Sequence, residues 1–280
     1  QEDGEPVDIS AMRLDDSIEL IKGPKGSTVY LTVKRATGVV EEIAVIRDIV
    51  ELEESYAKSV KISDNNGSYG LIHLPKFYID FEDYNERNAA IDVRAELERL
   101  QKEGVEGIVI DLRDNGGGSL QTVVDMAGYF IDQGPVVQVR TAGDRREVQE
   151  DPEPGIVYDG PLVILVNELS ASASEILAAA LQDYGRAVII GSERTYGKGT
   201  VQNVIPLSNI IRSNELGDLG ALKITTQKFY RVSGGSTQLE GVSSDIVIPD
   251  RYSYIDVGER DQENPLSWDQ ISPVSFRPWH

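Results

Sequence analysis

The chain has no cysteine in its 280 residues. Disulfides, thiolate–zinc sites and a cysteine nucleophile are therefore excluded, although the compartment stays open, since a protein in either redox environment can do without cysteine. Histidine is almost as scarce, with only His73 and His280. His73 lies among apolar neighbours (Ile72-His-Leu-Pro75) and His280 is the terminal residue, so a Ser-His-Asp triad has poor candidates for its base. Long apolar runs are also missing; none approaches the ~20 residues that span a bilayer. Positive charge is in short supply: 27 Lys and Arg face 47 Asp and Glu, a net charge of −20. That balance argues against a nucleic-acid partner, which rewards a basic surface. It reads first as a solvated, self-repelling surface; calcium binding is a weaker reading, because no Asp-rich loop has EF-hand spacing. Nothing in the pattern calls for a metal or a cofactor. The chain begins at Gln1 with neither an initiator Met nor a signal peptide, and reads as a processed or shortened piece of something longer.

What is present fits an α/β protein. Residues 1–52 suggest a small unit: a short helix over 15–22, a turn at Gly23-Pro-Lys-Gly26, and strands over 29–33 and 42–47. Residues 53–66 are polar and end in the turn signal Asp64-Asn-Asn-Gly67. Strands are then predicted over 69–74, 105–112, 136–141, 162–166 and 187–190, alternating with helices over 88–103, 120–131 and 172–184. Alternation of this kind argues for parallel pairing. Residues 142–160 read as a charged, Pro/Gly-rich loop, the rest of the chain after 190 as strands with turns, and the tail after Pro249 as irregular.

Candidate chemistry concentrates between residues 170 and 203. Ser170, Ser172 and Ser174 sit where an apolar strand gives way to an Ala/Leu-rich helix. Backbone N–H groups at a helix N-terminus favour developing negative charge, so a serine there has an oxyanion site beside it. The plainer alternative is an N-cap. Lys198 is framed by Gly197 and Gly199, as expected of a lysine placed by its loop; the plainer alternative is a surface lysine in a Gly-rich hairpin. A lysine takes a serine's proton only when neutral, and burial lowers its pKa. A phosphate-binding P-loop fails on spacing, because five residues rather than four separate Gly191 from Gly197 and Gly199 stands where Ser or Thr is needed. Asp183 follows Ser172 by eleven residues on the predicted helix, about 16 Å along its axis. It therefore reads as structural, capping the helix end or pairing with Arg186. Asp114-Asn-Gly-Gly-Gly118 follows another strand end, where glycines let backbone N–H groups approach a ligand.

These residues resemble a known family, the C-terminal processing, or tail-specific, serine proteases. VILVNELSASASEILAAALQDYGRAVIIG followed by YGKGTVQ is similar to the family's catalytic region, VIDLRDNGGGSL to its oxyanion-loop motif, and KFYRVSGGSTQLEGVSSDIVIP to its closing strands. LDDSIELIKGPKGSTVYLTVKR resembles the second half of a PDZ domain, and ENPLSWDQI the branch found in bacterial envelopes. The resemblance implies Ser172 as nucleophile, Lys198 as general base and Gln202 as the residue orienting that lysine. Gly117, Gly118 and Ala173 would supply backbone N–H groups to an oxyanion hole. It implies a crotonase-like spiral α/β core over 53–250, a truncated PDZ domain over 1–52 and the start of a C-terminal extension over 251–280. Substrates would be proteins with unstructured C-termini, met on the periplasmic side of the envelope, with a homo-oligomer or an adaptor as further partners. Two departures stand out: the loop from Gly191 to Lys198 is one residue longer than the family pattern, and the PDZ half that carries the carboxylate-binding loop is missing. Two rivals remain, a catalytically silent binding module on the same fold and a crotonase-type acyl-CoA enzyme. The second gives no reason for pairing Ser172 with Lys198.

Overall fold

The computed structural model describes residues 6–48, 53–65, 67–80, 86–211 and 219–279. The chain forms two compact units, Gln1–Glu53 and Glu54–His280. In the first, helix α1 (Leu14–Ile21) precedes an antiparallel hairpin of β1 (Thr28–Lys34) and β2 (Val40–Ile46), in register from Thr28↔Ile46 to Lys34↔Val40. Ser17 is the one fully buried residue among those described in this unit.

The second unit is built on two sheets. Strands β3 (Lys58–Asp64), β4 (Gly67–His73), β5 (Gly107–Asp111), β8 (Leu162–Val166), β9 (Val188–Gly191) and β12 (Ile246–Val247) form a six-stranded sheet in the order β12-β9-β8-β5-β4-β3. All neighbours in it are parallel except the edge strand β3. Strands β6 (Gly134–Thr141), β7 (Arg146–Asp151), β10 (Thr200–Pro206) and β11 (Ala221–Tyr230) form an antiparallel sheet in the order β10-β11-β6-β7. Helices α2 (Ala89–Lys102), α3 (Leu120–Gly128) and α4 (Ala173–Asp183) pack successively, and α4 touches both β9 and β6. Sequence explains the helices directly. Asn88 caps α2 by accepting from the N–H groups of Ala90 and Ile91, and Val93, Leu97 and Leu100 form its buried stripe. In α4 every residue from Ala173 to Leu181 is buried, which is why it is alanine- and leucine-rich on all sides.

Two strands lie where the sequence suggested none. β3 falls inside the polar 53–66 stretch, whose predicted turn lies partly outside the described residues. As an edge strand it leaves Val60 and Ile62 exposed, so it lacks the buried alternation that marks a strand. β7 falls inside the predicted loop 142–160; it is a charged edge strand paired to β6. The 251–279 tail has almost no regular structure, yet it is held at many points. The Trp268 indole donates to Ser236 O (2.9 Å), Asp269 receives Lys228 Nζ (3.1 Å), and Trp279 N–H reaches Tyr184 O (2.8 Å).

Candidate active site

The parallel neighbours β5 and β8 each end in a junction leading to a helix, and the two junctions are joined. Asp114 N–H donates to Asn167 Oδ1 (3.0 Å) while Asn167 Nδ2 donates back to Asp114 Oδ1 (2.9 Å). The fully buried Asn115 donates through Nδ2 to Leu74 O (2.8 Å), and its carbonyl accepts Ala171 N–H (3.0 Å).

The three serines have different fates. Ser170 Oγ donates to Leu112 O (2.8 Å) and accepts Asn167 N–H (2.9 Å); Ser174 Oγ donates to Asn115 O (2.9 Å). Both are fully buried and serve to hold the junctions together. Ser172 is only half-buried and has φ 58° and ψ −113°, a conformation L-residues rarely adopt. This strained backbone at the N-terminus of α4 lifts its side chain into a cleft of about 380 Å³. Lys198, Gln202, Gly117, Gly118 and Ala173 line the same cleft, so the structure gathers every site residue named from the sequence.

The glycine loop is close-fitting. A Cβ on Gly117 would lie 2.7 Å from both Ala171 O and Ser172 Cβ, and one on Gly118 would lie 2.1 Å from Phe77 O. Their φ values are 99° and 148°. Gly117 does not offer a free donor: its N–H already goes to Asn115 Oδ1 (2.9 Å). The N–H groups of Gly118 and Ala173 have no partner among the described residues.

Glu175, absent from the expected site, is its central support. The carboxylate is completely buried and accepts four hydrogen bonds: Thr195 Oγ1 (2.6 Å) and Gly197 N–H (2.7 Å) on Oε1, Ser172 N–H (2.8 Å) and Lys198 N–H (3.0 Å) on Oε2. One side chain therefore fixes the backbone of both Ser172 and Lys198. Burial pushes its pKa up to about 7, against the lowering effect of its four donors. Ser172-Ala-Ser-Glu175 has the spacing of a capping box, a signal in the sequence from which Glu175 could have been found.

Lys198 is half-buried, and its Nζ donates to Gln202 Oε1 (3.2 Å). No hydrogen bond links Nζ to Ser172 Oγ among the described residues. Burial first, and the like charge of Lys223 second, hold the lysine below its ordinary pKa; Glu259 and Glu175 pull the other way.

Asp183 is structural, but its partner differs from the one expected. It pairs with Arg231 (2.7 Å) and accepts from Ser233 Oγ (3.0 Å). Arg186 instead turns inward and donates to the carbonyls of Phe130, Tyr158 and Gly160. The last turn of α4 carries Asp183 toward the segment after β11, away from Arg186. His73 does not line the cleft; its Nδ1 lies 3.9 Å from Asp111 Oδ2, and His280 is outside the described residues. Among the described residues no group of His, Asp and Glu is placed to hold a metal ion, and no helix is long and apolar enough to cross a membrane.

Known proteins resemble this chain in sequence and fold. The chain is 43% identical to a tail-specific protease of Haemophilus influenzae over 99% of its own length and 38% of that protein's. It is 35% identical to a carboxy-terminal-processing protease of Bartonella bacilliformis, over 89% of the chain and 54% of that protein. It thus spans about half or less of these relatives. Among solved structures, the photosystem II D1 C-terminal processing protease superposes with a TM-score of 0.58 at 26% identity, covering 86% of this chain and 60% of the other. Residues 68–248, which contain Ser172, Lys198 and the glycine loop, match the profile of peptidase family S41, and the chain belongs to that family.

Proposed function

We propose that this chain carries the catalytic centre of a serine endopeptidase working through Ser172 and Lys198, on proteins in or near unstructured C-terminal regions. The observation that carries the reading is the division of labour among the serines: Ser170 and Ser174 are consumed by internal bonds, while Ser172 is held in a strained conformation in a cleft it shares with a half-buried lysine. In this mechanism neutral Lys198 moves from Gln202 toward Ser172 Oγ and takes its proton as Oγ attacks the peptide carbonyl. The tetrahedral oxyanion is met by the free N–H groups of Gly118 and Ala173, with Gly117 positioning the loop. Lys198 then protonates the leaving amine, and water hydrolyses the acyl-enzyme by the same proton path. Gln202 orients Lys198 before attack.

The core is read as crotonase-like and residues 1–52 as the later part of a PDZ domain, on the motifs that resemble them. The periplasmic side of a bacterial envelope is the proposed setting, on the resemblance of ENPLSWDQI to the envelope branch of the family. The lowered pKa of Lys198 favours an active centre over a silent binding module, for which an ordinary lysine would suffice. Ser172→Ala and Lys198→Ala variants, assayed on an unfolded protein with an extended C-terminal tail, test the assignment. Each should lose at least about a thousandfold in kcat/KM; cleavage at the parent rate by either variant would overturn it.

A further inference from the structure

The cleft at Ser172 differs in charge from the rest of the molecule. In a chain of net charge −20, its described lining holds three lysines, Lys76, Lys198 and Lys223, and no carboxylate. Lys198 is occupied with Gln202. Lys76 and Lys223 are exposed, and neither has an ion-pair or hydrogen-bond partner among the described residues. They reach the cleft from different elements. Lys76 follows β4, beside the glycine loop. Lys223 lies on β11 opposite Val204, as Thr225 lies opposite Gln202, so alternation along the strands puts Lys223 on the face that carries Gln202. The floor between them is apolar, formed by Leu120, Ile176, Val201 and Phe229.

A second cleft shares Lys198 and Gln202 but differs in character. Its walls come from Tyr196, Thr200, Thr225 and the 259–266 segment, and its one charged group besides Lys198 is Glu259. The cleft that holds Ser172 is therefore cationic over an apolar floor, whereas the second, which shares Lys198 but lacks Ser172, is polar and balances Lys198 against Glu259.

We infer that Lys76 and Lys223 form a carboxylate-accepting subsite, which favours peptides carrying an acidic group close to the scissile bond on one side of it only. This rests on the catalytic reading above. The general negative charge of the molecule repels such peptides, so a local cationic pocket selects where the acid sits. An Asp or Glu side chain and a free C-terminal carboxylate offer the same chemistry.

The test is equilibrium binding to the intact Ser172→Ala chain, followed by dansyl fluorescence. The probes are ten-residue peptides with apolar central residues, prepared as Glu/Gln pairs at each position and with amidated or free C-termini. The expected result is a preference of roughly fivefold for Glu at positions on one side of the centre, matching two exposed ion pairs. The preference should shrink between about 25 mM and about 200 mM salt and disappear in Lys76→Gln/Lys223→Gln. A gain from Glu would name the side chain as the ligand, and a gain from the free C-terminus alone would name the terminal carboxylate. Equal affinity across all pairs, no measurable binding of any peptide, or a preference surviving in the double variant overturns the inference. A Lys223→Gln chain that keeps the Glu preference but needs a higher pH for cleavage would also overturn it, showing that Lys223 serves Lys198 instead. The catalytic reading fails separately: if the parent chain cuts nothing while the Ser172→Ala chain still prefers Glu, the subsite stands and the mechanism does not.

Discussion

The two strand-to-helix junctions solve one geometric problem with opposite materials. Both place a non-glycine residue in the left-handed half of conformational space, Asp114 at φ 63° after β5 and Ser172 at φ 58° after β8. After β5 the chain continues into glycines, and their freedom brings backbone N–H groups to the cleft at little conformational cost. After β8 there is no glycine, and the strained turn is offset by the bonds of Glu175 and the buried serines around it. The comparison separates two tasks. A site that presents backbone can be made from flexible residues held by close packing, whereas one that presents a side chain needs a real side chain and a surrounding frame to keep it in place.

Gly117→Ala should break the glycine side most severely. The added Cβ has only 2.7 Å to Ala171 O and Ser172 Cβ, so both junctions must shift. A loss of more than about a hundredfold in kcat/KM is expected, with a clear drop in thermal stability, since misplacement of about 1 Å has such a cost; steady-state kinetics beside calorimetry would show it. Glu175→Gln attacks the serine side. An amide keeps one accepting oxygen but turns an NH2 toward two of the four donors, on one oxygen or the other, leaving a buried mismatch worth about 1–3 kcal/mol. A fall in kcat of roughly ten- to a hundredfold is expected, with a smaller change in KM.

The pH profile sharpens the same comparison, because Glu175 and Lys198 both belong to the serine side. In the proposed mechanism Lys198 acts as the neutral amine, and its depressed pKa brings that form below the ordinary lysine range of about 10.4. Glu175 accepts all four donors only as a carboxylate, and its pKa is about 7. Both effects make activity rise with pH, so cleavage should fall away as pH drops through 7. The stability contributions have opposite signs. Glu175, raised on folding, makes the protein less stable as pH climbs from its unfolded value to about 7. Lys198, lowered on folding, recovers stability as pH rises between its folded and unfolded values. Denaturation midpoints across the range would check both signs. Asn115→Ala should have the smallest effect of the set, about 1–3 kcal/mol of stability, by freeing the Gly117 N–H and the Leu74 carbonyl. An activity loss without destabilisation would contradict its bridging role.

The sequence was most legible where local chemistry dominates. The β8–α4 junction, the glycine loop and Lys198 announce themselves through apolar runs, glycine spacing and the only plausible base, and the described cleft brings them together. Glu175 carried a readable capping signal but is a support through contacts 20 to 23 residues away, which spacing alone does not reveal. Arg231, the partner of Asp183, lies 48 residues along the chain, and so the nearer Arg186 seemed natural. Edge strands β3 and β7 bury little, so their sequences resemble loops. The different charges of the two clefts arise from tertiary packing and leave no local trace.

The irregular tail bears on where this protein can be cut short. The match to the family profile ends at residue 248, although similarity to the Haemophilus influenzae relative runs over 99% of the chain. Yet Glu259, Gln262, Asn264 and Leu266 form one wall of the second cleft, and Gln238 holds that wall through Glu259 Oε1 and Leu266 O. A chain trimmed at the end of the profile match would keep Ser172 and Lys198 and lose one wall of the second cleft. The limit of the family profile and the limit of the cleft walls are two different lines in this molecule.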